Sequence, residues 1–408
     1  QELGIDAWFY DEDKWPSGFA GGIVPLKSEE FHQRMLLRLE KSAPLPEKAE
    51  VLAEDAKYRY VCCKAPMGDA WFNGTCWVDL LNPKTVEAFI DCSYRPYAER
   101  YAKDFGRSAF GIFTDEPQVS PRPKVGHRGA VPYSPVLREA FRREHGYDFV
   151  TQAAGLFEDT GDFARVRLDY FQTVARQLER SFSRPIGDYC AKTRMVWTGH
   201  YNGENSFRSV QQNVANMMIQ YRHMQRPGID HLGLNLGNDV QFMMRSLSSV
   251  ANQYGRSRRL SEMFGISGQN MNFEDRLWIA GGHAVLGVNH ACPHLALYSM
   301  KGCRKRDYPP TLSPQQPWWP FNPCAEDAMA RLFYLSSVGA YAPELLVLVP
   351  IESSYIDCPN GTPAPGKDLN ARFGRFARTL EDLQGAHRDY DLGDEQIIAD
   401  LDAVGRHD

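Results

Sequence analysis

The sequence predicts an α/β fold: a (β/α)8 barrel of the TIM type, followed by the opening of a second α/β domain. Three observations carry this expectation. Short apolar runs alternate with helical stretches seven times, with strands near residues 6, 79, 110, 196, 230, 260 and 286. Regular alternation builds a parallel sheet, and eight such units close a barrel. Several of the runs stop on acids or histidine, and the C-terminal strand ends are where parallel barrels present functional side chains. Finally, no Gly-rich phosphate loop follows any run, which leaves the competing doubly wound open sheet without support. The missing eighth unit is most simply placed before Gln1, so the first barrel strand is expected to be absent from this chain.

In chain order, residues 5–10 read as a strand that ends on Asp11, Glu12 and Asp13, and Trp15-Pro16-Ser17-Gly18 with Gly21-Gly22 makes a tight loop. Residues 28–41 have helical spacing. A β-rich insertion near 55–77 follows, with strands at 58–63 and 71–81 and Asn73-Gly74 as a hairpin turn signal. Residues 78–83 read as another strand end and 84–103 as an amphipathic helix. The run at 109–113 stops at Asp115, Glu116 and Pro117, and the proline ends the strand because it donates no ladder hydrogen bond.

A Pro-rich loop at 117–135 leads to helices near 134–145 and 162–192. The strand at 195–200 runs into Tyr201, Asn202 and Glu204, and helical spacing covers 209–224. A weaker strand at 229–234 precedes a helix near 239–252. A short strand ends on Glu262, a helix covers 272–282, and a strand at 284–288 leads into Asn289, His290 and His294. The barrel thus occupies residues 1–342. Residues 343–408 change character, with a strongly apolar strand at 345–350, a Gly/Pro-rich loop at 358–367, a helix at 370–385 and a second strand end at 390–395, the start of another α/β domain.

Composition narrows the function classes. A net charge of −5 without a basic stripe argues against nucleic acid. No apolar run reaches the roughly 18 residues of a membrane span. The nine cysteines include no C-x-x-C pair, so neither a zinc ribbon nor a disulfide framework is indicated, and the compartment is left open. Aromatic residues make up 12%, with eight tryptophans, a stock from which flat platforms for sugar rings are drawn.

All C-terminal strand ends of a parallel barrel face one side, so the polar residues named above converge on one cleft. Two carboxyls flanked by His, Tyr and Trp suit glycoside hydrolysis: one protonates the leaving oxygen and the other attacks the sugar or activates water. Glu116 and Glu262 are the expected pair, with Glu204 able to replace either. Asp11, Glu12, Trp15, Asp115, His200, Tyr201, Asn202, Asn289, His290 and His294 are the expected sugar-binding residues. Glu262 lies between apolar neighbours, where a carboxylate is costly to bury without a partner. Glu204 has a plain alternative as a helix cap, and Asp11–Asp13 as a solvated turn. His290 and His294 invite a metal reading, but Pro293 spoils helical geometry and no third ligand is spaced for it, so hydrogen bonding to sugar hydroxyls is favoured.

Several strings together resemble large bacterial glycoside hydrolases of the α-L-rhamnosidase-like kind, glycoside hydrolase family 106 and its relatives. They are Tyr10-Asp11-Glu12-Asp13-Lys14-Trp15-Pro16-Ser17-Gly18, Thr114-Asp115-Glu116-Pro117, Ser261-Glu262-Met263-Phe264-Gly265, Gly287-Val288-Asn289-His290 with Pro293-His294, and Arg304 to Pro310 continuing to Trp318-Trp319. The likeness covers most of residues 5–325. It implies a (β/α)8 barrel, exo-action on a glycan, inversion of configuration and calcium near the sugar. The segment 344–395 resembles the start of the amidotransferase-like domain of such enzymes. With the absent strand counted as first, Glu116 falls on the fourth strand and Glu262 on the seventh. These are the positions of acid/base and nucleophile in retaining barrel glycosidases, although Asp115 stands where those usually have Asn. A retaining β-galactosidase-like enzyme and a non-catalytic carbohydrate-binding barrel are the alternatives.

Overall fold

The computed structural model describes residues 7–121, 129–306, 308–357 and 367–403. Ile5 and Asp6 of the first expected strand, residues 122–128 of the Pro-rich loop, Asp307 of the Arg304 to Pro310 string and residues 358–366 of the Gly/Pro-rich loop lie outside the described residues. The strands are β1 (Ala7–Tyr10), β2 (Arg34–Glu40), β3 (Glu50–Glu54), β4 (Tyr58–Lys64), β5 (Ala109–Asp115), β6 (Ala130–Tyr133), β7 (Val196–His200), β8 (Gly228–His231), β9 (Leu260–Met263), β10 (His290–Pro293), β11 (Leu345–Leu348) and β12 (Tyr390–Gly393).

Two parallel three-stranded sheets, β1-β5-β7 and β8-β9-β10, carry the site. They meet where Arg226 N donates to Trp197 O at 3.1 Å, so β8 continues the arc from β7. At the far side the His290 ring lies 6.0 Å from that of Trp8, but no ladder joins β10 to β1 among the described residues. Among the described residues the six strands form a curled arc whose two edges are not joined by a ladder. A cavity of about 580 Å³ opens between its two edges, lined by Trp8, Tyr10, Asp115, Glu262 and His290. Two strands approach closely because Gly111 has no side chain: a Cβ there would sit 1.9 Å from Val196 O.

The helices between strands follow their local signals. Asn82 and Ser134 cap Pro83–Phe89 and Pro135–His145, each with proline in the first turn. Asn272 and Asp275 form a capping box at the start of Phe273–Val285. Phe163–Leu178 and Arg184–Thr193 continue through a π-helical turn, and Asn238–Gln253 matches its expected span.

Five expectations are corrected. Residues 28–41 are not helical: β2 is the inner strand of an antiparallel sheet ordered β3-β4-β2-β6, and burial on both faces removes the alternation that marks a strand. Residues 71–81 form turns; Asn73 (φ 53°) and Gly74 (φ 79°) make the tight turn, but it joins only the Asp69–Thr75 bridge. Val78 makes a single bridge to His32, and Asp79 accepts from Leu81 N, so this acid shapes a turn and ends no barrel strand. The strand at 284–288 is instead the end of a helix, and β10 begins at His290 after Gly287 turns the chain at φ 96°. The helix expected at 209–224 is split into Phe207–Asn213 and Met218–Tyr221, with Ala215 at φ 61° between them.

β11 and β12 pair in parallel and pack on the helix Asn238–Gln253, where Leu392 N donates to Ser249 Oγ at 2.8 Å. Tyr355, Leu380, Leu392 and Ile397 belong to the same buried core as the helices around the arc. No helix of the described residues is long and apolar enough to cross a membrane.

Candidate active site

The site is built at the ends of β5, β7, β8 and β9. β5 delivers Asp115 as its last residue, and Glu116 follows at φ 45°, a left-handed conformation that costs an L-residue about 1–2 kcal/mol. Its N–H donates to His200 O at 3.1 Å, and Trp15 Nε1 donates to Glu116 Oε2 at 2.6 Å. The loop carrying Trp15 is pinned to the same strand end. Ser17 N donates to Asp115 O, and Ser17 Oγ accepts from Asp115 N, both at 2.7 Å. Tyr10 donates its hydroxyl to Asp115 Oδ2 at 2.5 Å.

His200 ends β7 and is 1% exposed. Its Nε2 lies 3.0 Å from Glu262 Oε2 on β9 and 3.7 Å from Asp115 Oδ1. His294 Nε2 approaches the other Glu262 oxygen at 4.0 Å. Asp230 on β8 completes the cluster: potential donor atoms of Glu116, His200 and Asp230 lie within 4.8 Å of one another. Four carboxyls therefore surround one buried imidazole.

Burial pushes Glu116 and Asp115 above their ordinary carboxyl range, and the opposing charge of His200 does not cancel it. Asp230 is pushed up for the same reason, well above its ordinary value. Glu262 goes the other way. Burial would raise it, but the His200 hydrogen bond and the charges of His200 and His294 hold it below the ordinary value. Burial would lower His200, yet the Glu262 hydrogen bond with the charges of Asp230, Glu262 and Asp115 raises it well above an ordinary histidine. Three carboxyls displaced towards the protonated form thus face one displaced towards the ionised form, and a pair of carboxyls pushed apart in this way is what acid/base chemistry uses.

Glu116, His200 and Asp230 also test the calcium that the family resemblance implies. Calcium takes six to eight oxygen ligands, whereas one of these three donors is an imidazole nitrogen, so the trio suits a borderline transition ion better than calcium.

With this geometry in view, the chain is similar in fold to several solved enzymes. A rhamnosidase from Novosphingobium sp. PP1Y superposes with a TM-score of 0.55 at 16% identity over 89% of this chain. A β-galactosidase from the haloarchaeon Halorubrum lacusprofundi gives 0.56 at 10% identity over 96%. A family 42 β-galactosidase from G. stearothermophilus gives 0.53 at 13% identity over 78%. The fold is one that glycoside hydrolases use. The chain spans 30%, 57% and 50% of those three proteins. No family model matches the sequence, and no curated protein matches it.

Of the expected site residues, Trp15, Asp115, Glu116, His200, Glu262 and His294 come together. The others are placed differently. Asp11 is buried, and its oxygens accept from Ser17, Tyr94 and Thr114 at 2.6–2.7 Å. Both Glu12 oxygens are taken by backbone N–H groups of Asp13, Gly18, Ala20 and Gly21. Glu204 is buried under donors from Tyr201 N, Tyr221 Oη and Asp230 N, so it braces the β7–β8 junction, and Tyr201 points its hydroxyl at Ser183. Asn202 lies in the turn between Tyr201 and Glu204.

Asn289 sits at the opposite end of the arc: its Oδ1 accepts from Arg259 N, and its amide donates to Ser257 O and Ser336 O. His290 pairs with Arg226 at 3.0 Å on the cavity wall, where burial and that guanidinium press it down to about 4.

Sequence reading missed Tyr10, Asp230 and Trp71. Asp230 stands inside a strand only four residues long, too short to show a period. Trp71 is 49% exposed, donates Nε1 to Trp15 O at 3.1 Å and meets the Trp15 ring edge-on at 5.8 Å.

Proposed function

We propose that this chain carries the active site of a glycoside hydrolase that removes a terminal sugar, with Glu116 as general acid and Glu262 as its ionised partner. The observation that carries the reading is the split between these two carboxyls around His200, which hydrogen-bonds Glu262 and holds it below its ordinary value while burial raises Glu116 above its own. Glu116, aimed by Trp15, protonates the leaving glycosidic oxygen as the bond breaks. Glu262 either attacks the anomeric carbon or deprotonates a water, and its negative charge stabilises the oxocarbenium-like transition state. His200 holds Glu262 ionised and in place, while Trp15, Trp71 and His294 offer flat faces and donors to the sugar. In this reading the arc is part of a (β/α)8 barrel, residues 343–408 open an amidotransferase-like domain, and the partner is an oligosaccharide.

The finer assignment is α-L-rhamnosidase-like, supported by the sequence strings and by fold similarity to the rhamnosidase. Fold similarity to the β-galactosidases, with the fourth- and seventh-strand positions of Glu116 and Glu262, favours a retaining β-galactosidase-like enzyme as the second reading. Hydrolysis of an aryl-glycoside panel that includes α-L-rhamnosides and β-D-galactosides tests the reading, with proton NMR of the first-formed anomer. Cleavage lost in both Glu116→Gln and Glu262→Gln supports it. Failure to cleave any glycoside, with oligosaccharide binding unaltered in both variants, would mark a binding barrel instead.

A further inference from the structure

At the N-terminal ends of β9 and β10, opposite to Glu262, a second cavity of about 430 Å³ lies between the helix Asn238–Gln253 and the chain after the helix Asn322–Leu335. That volume lies within the usual range of small-molecule sites, about 300–1,000 Å³. Arg245, Arg256 and Arg259 line it against a single acid, Asp391.

All three arginines are half-buried and hydrogen-bond only neutral acceptors, with the charge of Asp391 facing Arg245 and Arg259 beyond ion-pair distance. Arg245 reaches Tyr341 Oη at 3.5 Å and Arg256 reaches Arg222 O at 3.4 Å. Arg259 reaches Gly287 O at 3.5 Å and the Asn252 side chain. None of the three joins an ion pair among the described residues, whereas Arg222 is paired with Glu179 at 2.6 Å and Arg276 with Glu326. The Nε atoms of all three are buried without a hydrogen-bond partner. Burial pushes Arg259 below the ordinary arginine value. Gathering three partly desolvated cations in one pocket is costly unless a counter-charge arrives, and the guanidinium fork matches the oxygens of a tetrahedral anion. Leu335 and Val338, 69% and 54% exposed, give the same cavity an uncovered apolar wall.

We propose that this cavity binds a small molecule bearing a tetrahedral oxyanion, a phosphate or sulfate ester, with the anion on the three arginines and the organic body against Leu335 and Val338. The site is separate from the carboxylate cleft and does not depend on what that cleft does.

Isothermal titration of the full chain with inorganic phosphate, inorganic sulfate and glucose 6-phosphate, at constant ionic strength in chloride, reads it. One equivalent is expected to bind saturably, the sugar phosphate more tightly than inorganic phosphate. A preference for phosphate identifies a phosphate ester and a preference for sulfate a sulfate ester. Arg256→Gln is expected to weaken binding about tenfold or more, and Arg256→Lys to weaken it less. Ala340→Glu places an acid on the exposed rim without touching an arginine and is expected to weaken binding as much as Arg256→Gln. No saturable binding below about 10 mM, or an affinity equal to the parent's in both Arg256→Gln and Ala340→Glu, would overturn the proposal.

Discussion

Two clusters of buried charge in this molecule are built on opposite plans. Glu179, 2% exposed, accepts from Arg222 at 2.6 Å, His223 at 2.7 Å and Arg184 at 3.1 Å. Burial pushes its carboxyl up, but the His223 and Arg222 hydrogen bonds and charges prevail and bring it down to about 2. In the cleft, Asp115, Glu116, Asp230 and Glu262 share one buried histidine, with His294 at the rim, and three of the four carboxyls are raised. A buried acid with cations in excess serves as a brace. Acids in excess of cations are pushed towards their protonated forms, which costs stability and equips a site to donate protons.

The largest contrast is expected from removing one acid of each kind. Glu179→Gln strips the partner from Arg222 and His223 and is expected to destabilise the fold by about 3–5 kcal/mol in urea unfolding. Its kcat/KM stays within a few-fold of the parent. Glu262→Gln does the reverse, abolishing activity while leaving the unfolding midpoint close to the parent value. Equal stability losses in both variants would remove the distinction.

The pH dependence of stability separates Glu179 from the carboxyls that burial raises elsewhere in the fold. Asp11 is raised to about 6 and Glu12 and Glu204 to about 7, each by burial. A carboxyl raised in the folded state favours folding once protonated, so stability rises as pH falls through about 7 and 6. Glu179 has the opposite sign. Its contribution is complete above its ordinary value of 4.5 and is lost as pH falls towards about 2. Thermal unfolding between pH 3 and 8 is therefore expected to show the parent losing stability below about pH 4.5 through Glu179, and Glu179→Gln to flatten that acid limb.

A smaller effect is expected from Trp15→Phe. The indole hydrogen bond lowers Glu116 against the rise caused by burial. Removing it is expected to move the alkaline limb of the kcat/KM profile to higher pH while kcat falls about tenfold, since the carboxyl is less well aimed. An unshifted limb would mean that Glu116 does not set it.

Much of this arrangement was legible in the sequence. β5 and β7 were readable because each is a mostly apolar run cut off by a polar residue at the cleft, and β9 because Glu262 stands beside the apolar pair Met263-Phe264; Glu116, His200 and Glu262 follow from those patterns. What stayed hidden depends on partners distant in the chain. Asp11 looks like Glu116 in sequence, but Tyr94 and Thr114, 83 and 103 positions away, consume its oxygens. Glu204 is disguised in the same way by Tyr221 and Asp230. β2 was misread because both of its faces are buried, and β10 because an apolar helix end precedes it.

The central claim, that Glu116 gives up a proton which Glu262 lacks, is tested most directly with Glu116→Gln on aryl glycosides of graded leaving-group acidity. A general acid is needed only when the departing oxygen is basic. The variant is expected to lose about 10³-fold or more on a poor leaving group and much less on a dinitrophenolate. An equal loss across the series, or full activity on the poorest leaving group, would contradict it.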